Sequence, residues 1–84
     1  MTLDREPRGS PSNLVQKRSI AIAGHRTSVS LEAAFWAALK SYAREDGVSL
    51  AALVARVDTA RGGANLSSAL RVYALERAAG PAEG

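Results

Sequence analysis

The sequence predicts a mainly α fold that opens with a short β region. Two observations carry that expectation. Apolar and polar residues alternate with period 2 between Ser19 and Leu31, and apolar residues recur at helical spacing from Glu32 onward. Gly47, Gly62-Gly63 and Gly80 then divide the helical stretch into three.

The elements follow in chain order. Residues 1–14 are polar and contain Arg8-Gly9-Ser10-Pro11-Ser12-Asn13, so a flexible tail is expected there. In Ser19-Ile20-Ala21-Ile22-Ala23 the large side chains hold even positions. In Arg26-Thr27-Ser28-Val29-Ser30-Leu31 the apolar ones hold odd positions. The phase slips across Gly24-His25, which needs either a bulge in one long strand or a tight hairpin. A Gly24-His25 loop of type II′ sets Ile22 opposite Thr27 and Ile20 opposite Val29. A bulge at a glycine of positive φ serves equally. Both routes stay open.

From Glu32 to Arg44 the pattern is helical, with Phe35, Leu39 and Tyr42 on one stripe and Trp36 and Ala43 beside it. Glu32 in the first turn suits the helix dipole, and Gly47 is placed as a C-terminal glycine. Ser49 has N-cap character ahead of a second helix whose apolar stripe is Leu50, Leu53, Val54 and Val57. Gly62-Gly63 stops it. Asn65 caps a third helix, Leu66 to about Ala78, with Leu66, Ala69, Leu70 and Tyr73 on one face. Residues 80–84 are a helix stop and a frayed end. The domain is expected over residues 15–79.

Composition bounds the chemistry. With 84 residues there is room for one small core, and such a chain folds marginally or borrows area from a partner. There is no cysteine, and His25 is the only histidine, so disulfides, thiolate sites and multi-His metal sites are excluded. No charge-free stretch approaches the roughly 20 residues of a membrane span, and residues 1–7 do not look like a signal peptide. A soluble cytoplasmic protein is expected. The net charge is +3, and all of the excess sits on Lys17, Arg18 and Arg26. Acids and bases cancel on either side of residues 15–30. A local basic stretch attracts polyanions; it also serves simply to protect an exposed strand edge.

No catalytic constellation is present. His25 reads as a turn residue or a phosphate contact. Glu45-Asp46 reads as a solvated helix end rather than an acid/base pair. Gly62-Gly63 lacks the preceding strand and following lysine of a phosphate loop. Trp36 sits at core spacing from Leu39 and Ala43. The expectation is no enzyme, no cofactor and no metal.

The segment Arg26-Thr27-Ser28-Val29-Ser30-Leu31-Glu32-Ala33-Ala34-Phe35-Trp36-Ala37-Ala38-Leu39, followed by Arg44-Glu45-Asp46-Gly47-Val48-Ser49-Leu50-Ala51-Ala52-Leu53-Val54, resembles the ribbon-helix-helix family of DNA-binding proteins. The longer run, from Lys17-Arg18-Ser19 through Gly24-His25-Arg26-Thr27-Ser28 to Asn65-Leu66-Ser67-Ser68-Ala69-Leu70, looks like a small bacterial branch with an added third helix. The resemblance covers about residues 17–77. It implies a mainly α fold with a short β ribbon, built as a ribbon-helix-helix homodimer in which one strand pairs with that of a second chain. It implies a dimer core of Val29, Leu31, Phe35, Trp36, Leu39, Leu53, Val54 and Val57, with Thr27 also turned inward. It implies a transcriptional regulator that inserts an antiparallel two-stranded ribbon into the major groove of double-stranded DNA. Arg26, Ser28 and Ser30 then read bases, and Lys17, Arg18, His25, Val48 and Ser49 hold phosphates. Ser30 has a rival role as the N-cap of the first helix.

A different outcome follows if residues 18–23 fold back. The dimer then presents a four-stranded sheet, too wide for the groove and better suited to a protein partner, as in an antitoxin-like or regulatory adaptor. Strand continuity through Gly24, and exposure of Lys17, Arg18 and Arg26 on one face, separate the two readings.

Overall fold

A computed structural model describes residues 14–80 of the chain. The expected tail, apart from Leu14, and the end at 81–84 lie outside the described residues. Two antiparallel strands, β1 (Val15–Ile22) and β2 (His25–Glu32), precede three helices, α1 (Ala33–Asp46), α2 (Leu50–Ala60) and α3 (Leu66–Ala79).

Of the two routes that the alternation leaves open, the chain takes the hairpin. Its loop is Ala23-Gly24, one residue earlier than the Gly24-His25 loop expected. Ile22 pairs with His25, Ile20 with Thr27 and Arg18 with Val29. Ala23 has φ +49° and Gly24 φ +84°. Positive φ at both central positions makes this a type I′ turn, not type II′; its twist matches that of the flanking strands. The expected and observed pairings differ by two residues, so both keep the same face inward. Alternation alone is blind to such a shift.

β1 also starts earlier than the alternation suggests. The Ala33 N–H donates to Leu14 O at 2.8 Å, and the Trp36 indole N–H donates to Gln16 O at 2.9 Å. These bonds hold the start of β1 against α1 and extend the ladder to Val15. They also orient α1. Trp36, Leu39 and Ala43 are buried, whereas Phe35 and Tyr42 stay at the margin of the core. The stripe expected to centre on Phe35 is rotated because a buried indole needs a partner for its N–H, and Gln16 supplies one.

The helix ends follow local rules. Gly47 takes φ +70° at the end of α1. The Ser49 hydroxyl accepts from the Ala52 N–H at 3.0 Å, and Asn65 Oδ1 accepts from the Ser68 N–H at 3.1 Å. Helix α1 begins at Ala33 rather than Glu32. Glu32 is its N-cap residue but makes no side-chain capping bond. Ser30 remains inside β2, so its rival capping role does not arise.

The core lies between the inner face of the hairpin and the three helices. Ile20, Ile22, Val29 and Leu31 come from the strands, and Leu53, Val54, Val57, Leu66, Leu70 and Ala74 from α2 and α3. Leu31, Leu39, Leu53 and Leu70 are fully buried, each worth about 1.5–3 kcal/mol of burial. Val29, Leu31, Trp36, Leu39, Leu53, Val54 and Val57 are therefore buried within one chain, and Phe35 only partly so. The strand pairing that the resemblance implies between two chains is made here within one chain, by β1 and β2.

Helix α3 is an integral part of this unit. Arg71 Nε meets Glu32 Oε1 at 3.0 Å. Tyr42 donates to Ala74 O at 3.3 Å and meets Tyr73 edge-on at 6.2 Å. Arg77 reaches Asp46 at 2.8 Å and Glu45 at 3.1 Å, and its guanidinium lies 4.6 Å from the centre of the Tyr42 ring.

Candidate nucleic-acid interface

Period 2 sorts the hairpin into two faces. Gln16, Arg18, Ile20 and Ile22 share the inner face with their partners Leu31, Val29, Thr27 and His25. The outer face carries Lys17 paired with Ser30, Ser19 with Ser28, and Ala21 with Arg26. Lys17, Ser19, Ala21, Arg26 and Ser28 are exposed, and Ser30 is half-buried. The Arg26 guanidinium approaches Ser19 Oγ at 3.4 Å, a long contact that leaves it free to turn outward.

The expected site residues divide accordingly. Arg26, Ser28, Ser30 and Lys17 stand together on the outer face. Arg18 does not join them. It lies on the inner face, its guanidinium 5.2 Å from the centre of the Trp36 ring and bonded to Gln16 Oε1 at 3.2 Å. His25 is exposed beside the turn. At the start of α2, the Val48 N–H is already committed to Ala43 O at 3.0 Å, and the Ala52 N–H to the Ser49 hydroxyl. The open donors of that first turn are those of Leu50 and Ala51. Ala51 carried no side-chain signal for this role; only the capping geometry reveals it.

Electrostatics separates the two ends of the chain. Every arginine from residue 56 onward bonds a carboxylate: Arg56 with Asp46, Arg61 with Asp58, Arg71 with Glu32, and Arg77 with Asp46 and Glu45. Lys17, Arg18, Arg26, Lys40 and Arg44 form no ion pair with any described residue. Among the described residues the cations without an acidic partner thus extend beyond residues 15–30 to α1, which the sequence concealed because Glu32, Glu45 and Asp46 are spent on arginines of α2 and α3. Backbone hydrogen bonding and Arg71 hold the Glu32 carboxyl below the usual carboxylate range. By the same period Glu32, paired with Val15 at the end of the ladder, belongs to the outer face, and Arg71 pairs with it. Hydrogen bonding from Arg77 likewise holds Asp46 low, and the same bond, with one to Tyr73, raises Arg77.

With this geometry, the model of the ribbon-helix-helix domain matches residues 15–78. The chain belongs to the ribbon-helix-helix family. Members of that family are typically DNA-binding regulators, on a fold that is generally not enzymatic. A solved structure of an uncharacterized protein from Bordetella pertussis Tohama I is 38% identical to this ribbon-helix-helix chain. The match covers 89% of this chain and 69% of that one, with a TM-score of 0.72. No curated protein matches the chain. Among the described residues no group of His, Asp and Glu is placed to hold a metal ion, and no helix is long and apolar enough to cross a membrane.

Proposed function

We propose that this ribbon-helix-helix protein is a DNA-binding transcriptional regulator of the bacterial cytoplasm, acting as a homodimer. The outer face of each hairpin enters the major groove. The observation that carries the reading is that face itself: two cations, small polar side chains and no unpaired acid. A two-stranded ribbon has its strands about 4.8 Å apart and fits a groove about 12 Å wide. In this protein one chain already supplies such a ribbon. Arg26 makes the bidentate contact with a guanine, and Ser28 and Ser30 assist as weak readers. Lys17, His25 and the open N–H groups at the start of α2 contact phosphates. Arg18 leaves that set, because its guanidinium covers Trp36.

Lys17 and Arg26, doubled in a dimer, give about four cationic contacts. The slope of log affinity against log salt is then about −4. Titration of duplex DNA at several salt concentrations checks this. An affinity that ignores salt sinks the reading.

The hairpin itself favours a second reading. If two copies join β2 to β2, the sheet has four strands, about 14 Å between its outer strands, which overfills the groove. The small side chains of Ser19, Ala21, Ser28 and Ser30 then form a flat surface for a protein partner, as in an adaptor or an antitoxin. A salt-independent complex with a protein, and none with DNA, identifies that case.

A further inference from the structure

Strand β1 is anchored unevenly. Ile20 and Ile22, near the turn, are buried, whereas Val15, Lys17 and Ser19 are exposed and Gln16 and Arg18 only half-buried. The half that carries Lys17 therefore buries no apolar side chain of its own, and Leu14 and Val15 at its start are 52% and 59% exposed. A two-stranded ladder is marginal without packing behind it, and a segment with few buried contacts opens locally.

Trp36 supplies what burial does not. Its indole N–H donates to Gln16 O at 2.9 Å. The Arg18 guanidinium lies 5.2 Å from the centre of its ring, and Arg18 also donates to Gln16 Oε1 at 3.2 Å. Trp36 itself is buried, so the core fixes its ring. Both chain neighbours of Lys17 are thus tied to one rigid indole on the inner face. Lys17, between them, is held on the outer face opposite Ser30.

We propose that Trp36 is the positioning residue of Lys17, a role that rests on the reading of Lys17 as a phosphate contact. Trp36 does not touch DNA. It holds residues 16–18 in place before DNA arrives, so that binding does not have to order this end of the strand. Arg26 needs no such clamp, because it pairs with Ala21, between the buried Ile20 and Ile22.

The test is amide hydrogen exchange and duplex titration of the full chain. Trp36→Phe keeps an aromatic ring but loses the N–H. Arg18→Lys keeps the charge but loses the planar fork, and Arg18 lies outside the buried core, so this variant folds even if the first does not. Each is made alone and together with Lys17→Ala. Both should speed exchange at residues 15–18 and their partners 29–32 more than at Ile20 and Ile22. Both should also weaken duplex binding about threefold or more. In the Lys17→Ala background the same substitutions should cost no further affinity, and the preference for a selected site over random DNA, set by Arg26, should not change. An equal loss with and without Lys17 overturns the role, since Trp36 then acts on the whole fold or Arg18 meets DNA itself. So does unchanged exchange at residues 15–18, or undiminished binding. A wild type that binds no duplex overturns the DNA reading and this role with it, whereas the other outcomes leave that reading standing.

Discussion

The two ends of this chain use the same residue type for different work. From residue 56 onward each arginine is spent inside the molecule: Arg56 and Arg77 hold α2 and α3 to α1 through Asp46, Arg71 holds α3 to the end of β2 through Glu32, and Arg61 pairs with Asp58 at the end of α2 itself. In the hairpin and α1, Lys17, Arg26, Lys40 and Arg44 meet no described carboxylate, and Arg18 rests on Trp36. Charge paired within a fold adds little to the field outside it; unpaired charge on an open face attracts a polyanion. Net charge alone therefore understates how basic the hairpin end is. It also hides that Arg18, adjacent to Lys17 in sequence, belongs to the packing rather than to the open face.

The largest effect tests whether the two ends share one core. Leu70→Ala removes a fully buried side chain of α3 and should cost about 2–5 kcal/mol. Because Leu70 belongs to the same cluster as Val29 and Leu31, strand and helix signals should melt in a single transition at a lower temperature. A hairpin that melts separately from the helices breaks the comparison into two domains.

Next in size is the division of labour among the cations. Arg26→Ala should cost about 1–3 kcal/mol on a preferred duplex site selected from a random pool, and less on random DNA. Lys17→Ala should weaken both kinds of site equally. Arg56→Ala, at a paired position, should leave the salt slope unchanged. Equal losses for Arg26→Ala on both DNAs remove it as a base reader, and a lower slope for Arg56→Ala erases the contrast between the ends.

A smaller effect is expected at the turn. Ala23 holds φ +49°, which costs a residue with a Cβ about 1 kcal/mol or more. Asn tolerates that region and precedes glycine in type I′ turns, so Ala23→Asn should raise stability by up to ~1 kcal/mol. The Gly24-His25 register would place residue 23 inside the strand, where Asn is unfavourable. A loss of stability in denaturant titration would restore that register.

The smallest effect is the acid response. Asp46 and Glu32 have carboxyls held low in the folded state. Their contribution is present above the unfolded carboxylate value of about 4 and is lost as pH falls through the lower folded values. Asp46→Asn should flatten the decline in melting temperature below about pH 4. An unchanged decline would mean that Arg77 does not hold α3 through that carboxylate.

Much of the architecture was legible because it rests on local chemistry. Ser49 and Asn65 announce helix starts, since their side chains cap the N–H groups three residues on. Gly47 announces an end, since it takes a left-handed φ. The alternation about Gly24 announces a β region with one face inward, and the outward placement of Arg26, Ser28 and Lys17 follows from parity. What stayed hidden depends on contacts through space. Parity puts Arg18 on the inner face once the hairpin forms, but only the packed Trp36 ring shows what holds its guanidinium. The same indole, bonded to Gln16, turned α1 so that Trp36 and not Phe35 entered the core. The Val48 N–H looked open until the end of α1 claimed it.

The sequence by itself determined the order of elements, the capped helix ends and the excess of positive charge near the start, because each depends on residues within a turn or two of one another. The tertiary structure alone decided that the chain folds back at Ala23-Gly24, that β2 finds its partner within the chain, and which cations meet no described carboxylate. Those outcomes depend on register and on partners up to 39 residues apart, as between Arg71 and Glu32. A two-residue shift of register leaves every side chain on its original face, so period-2 patterning carries no information about it.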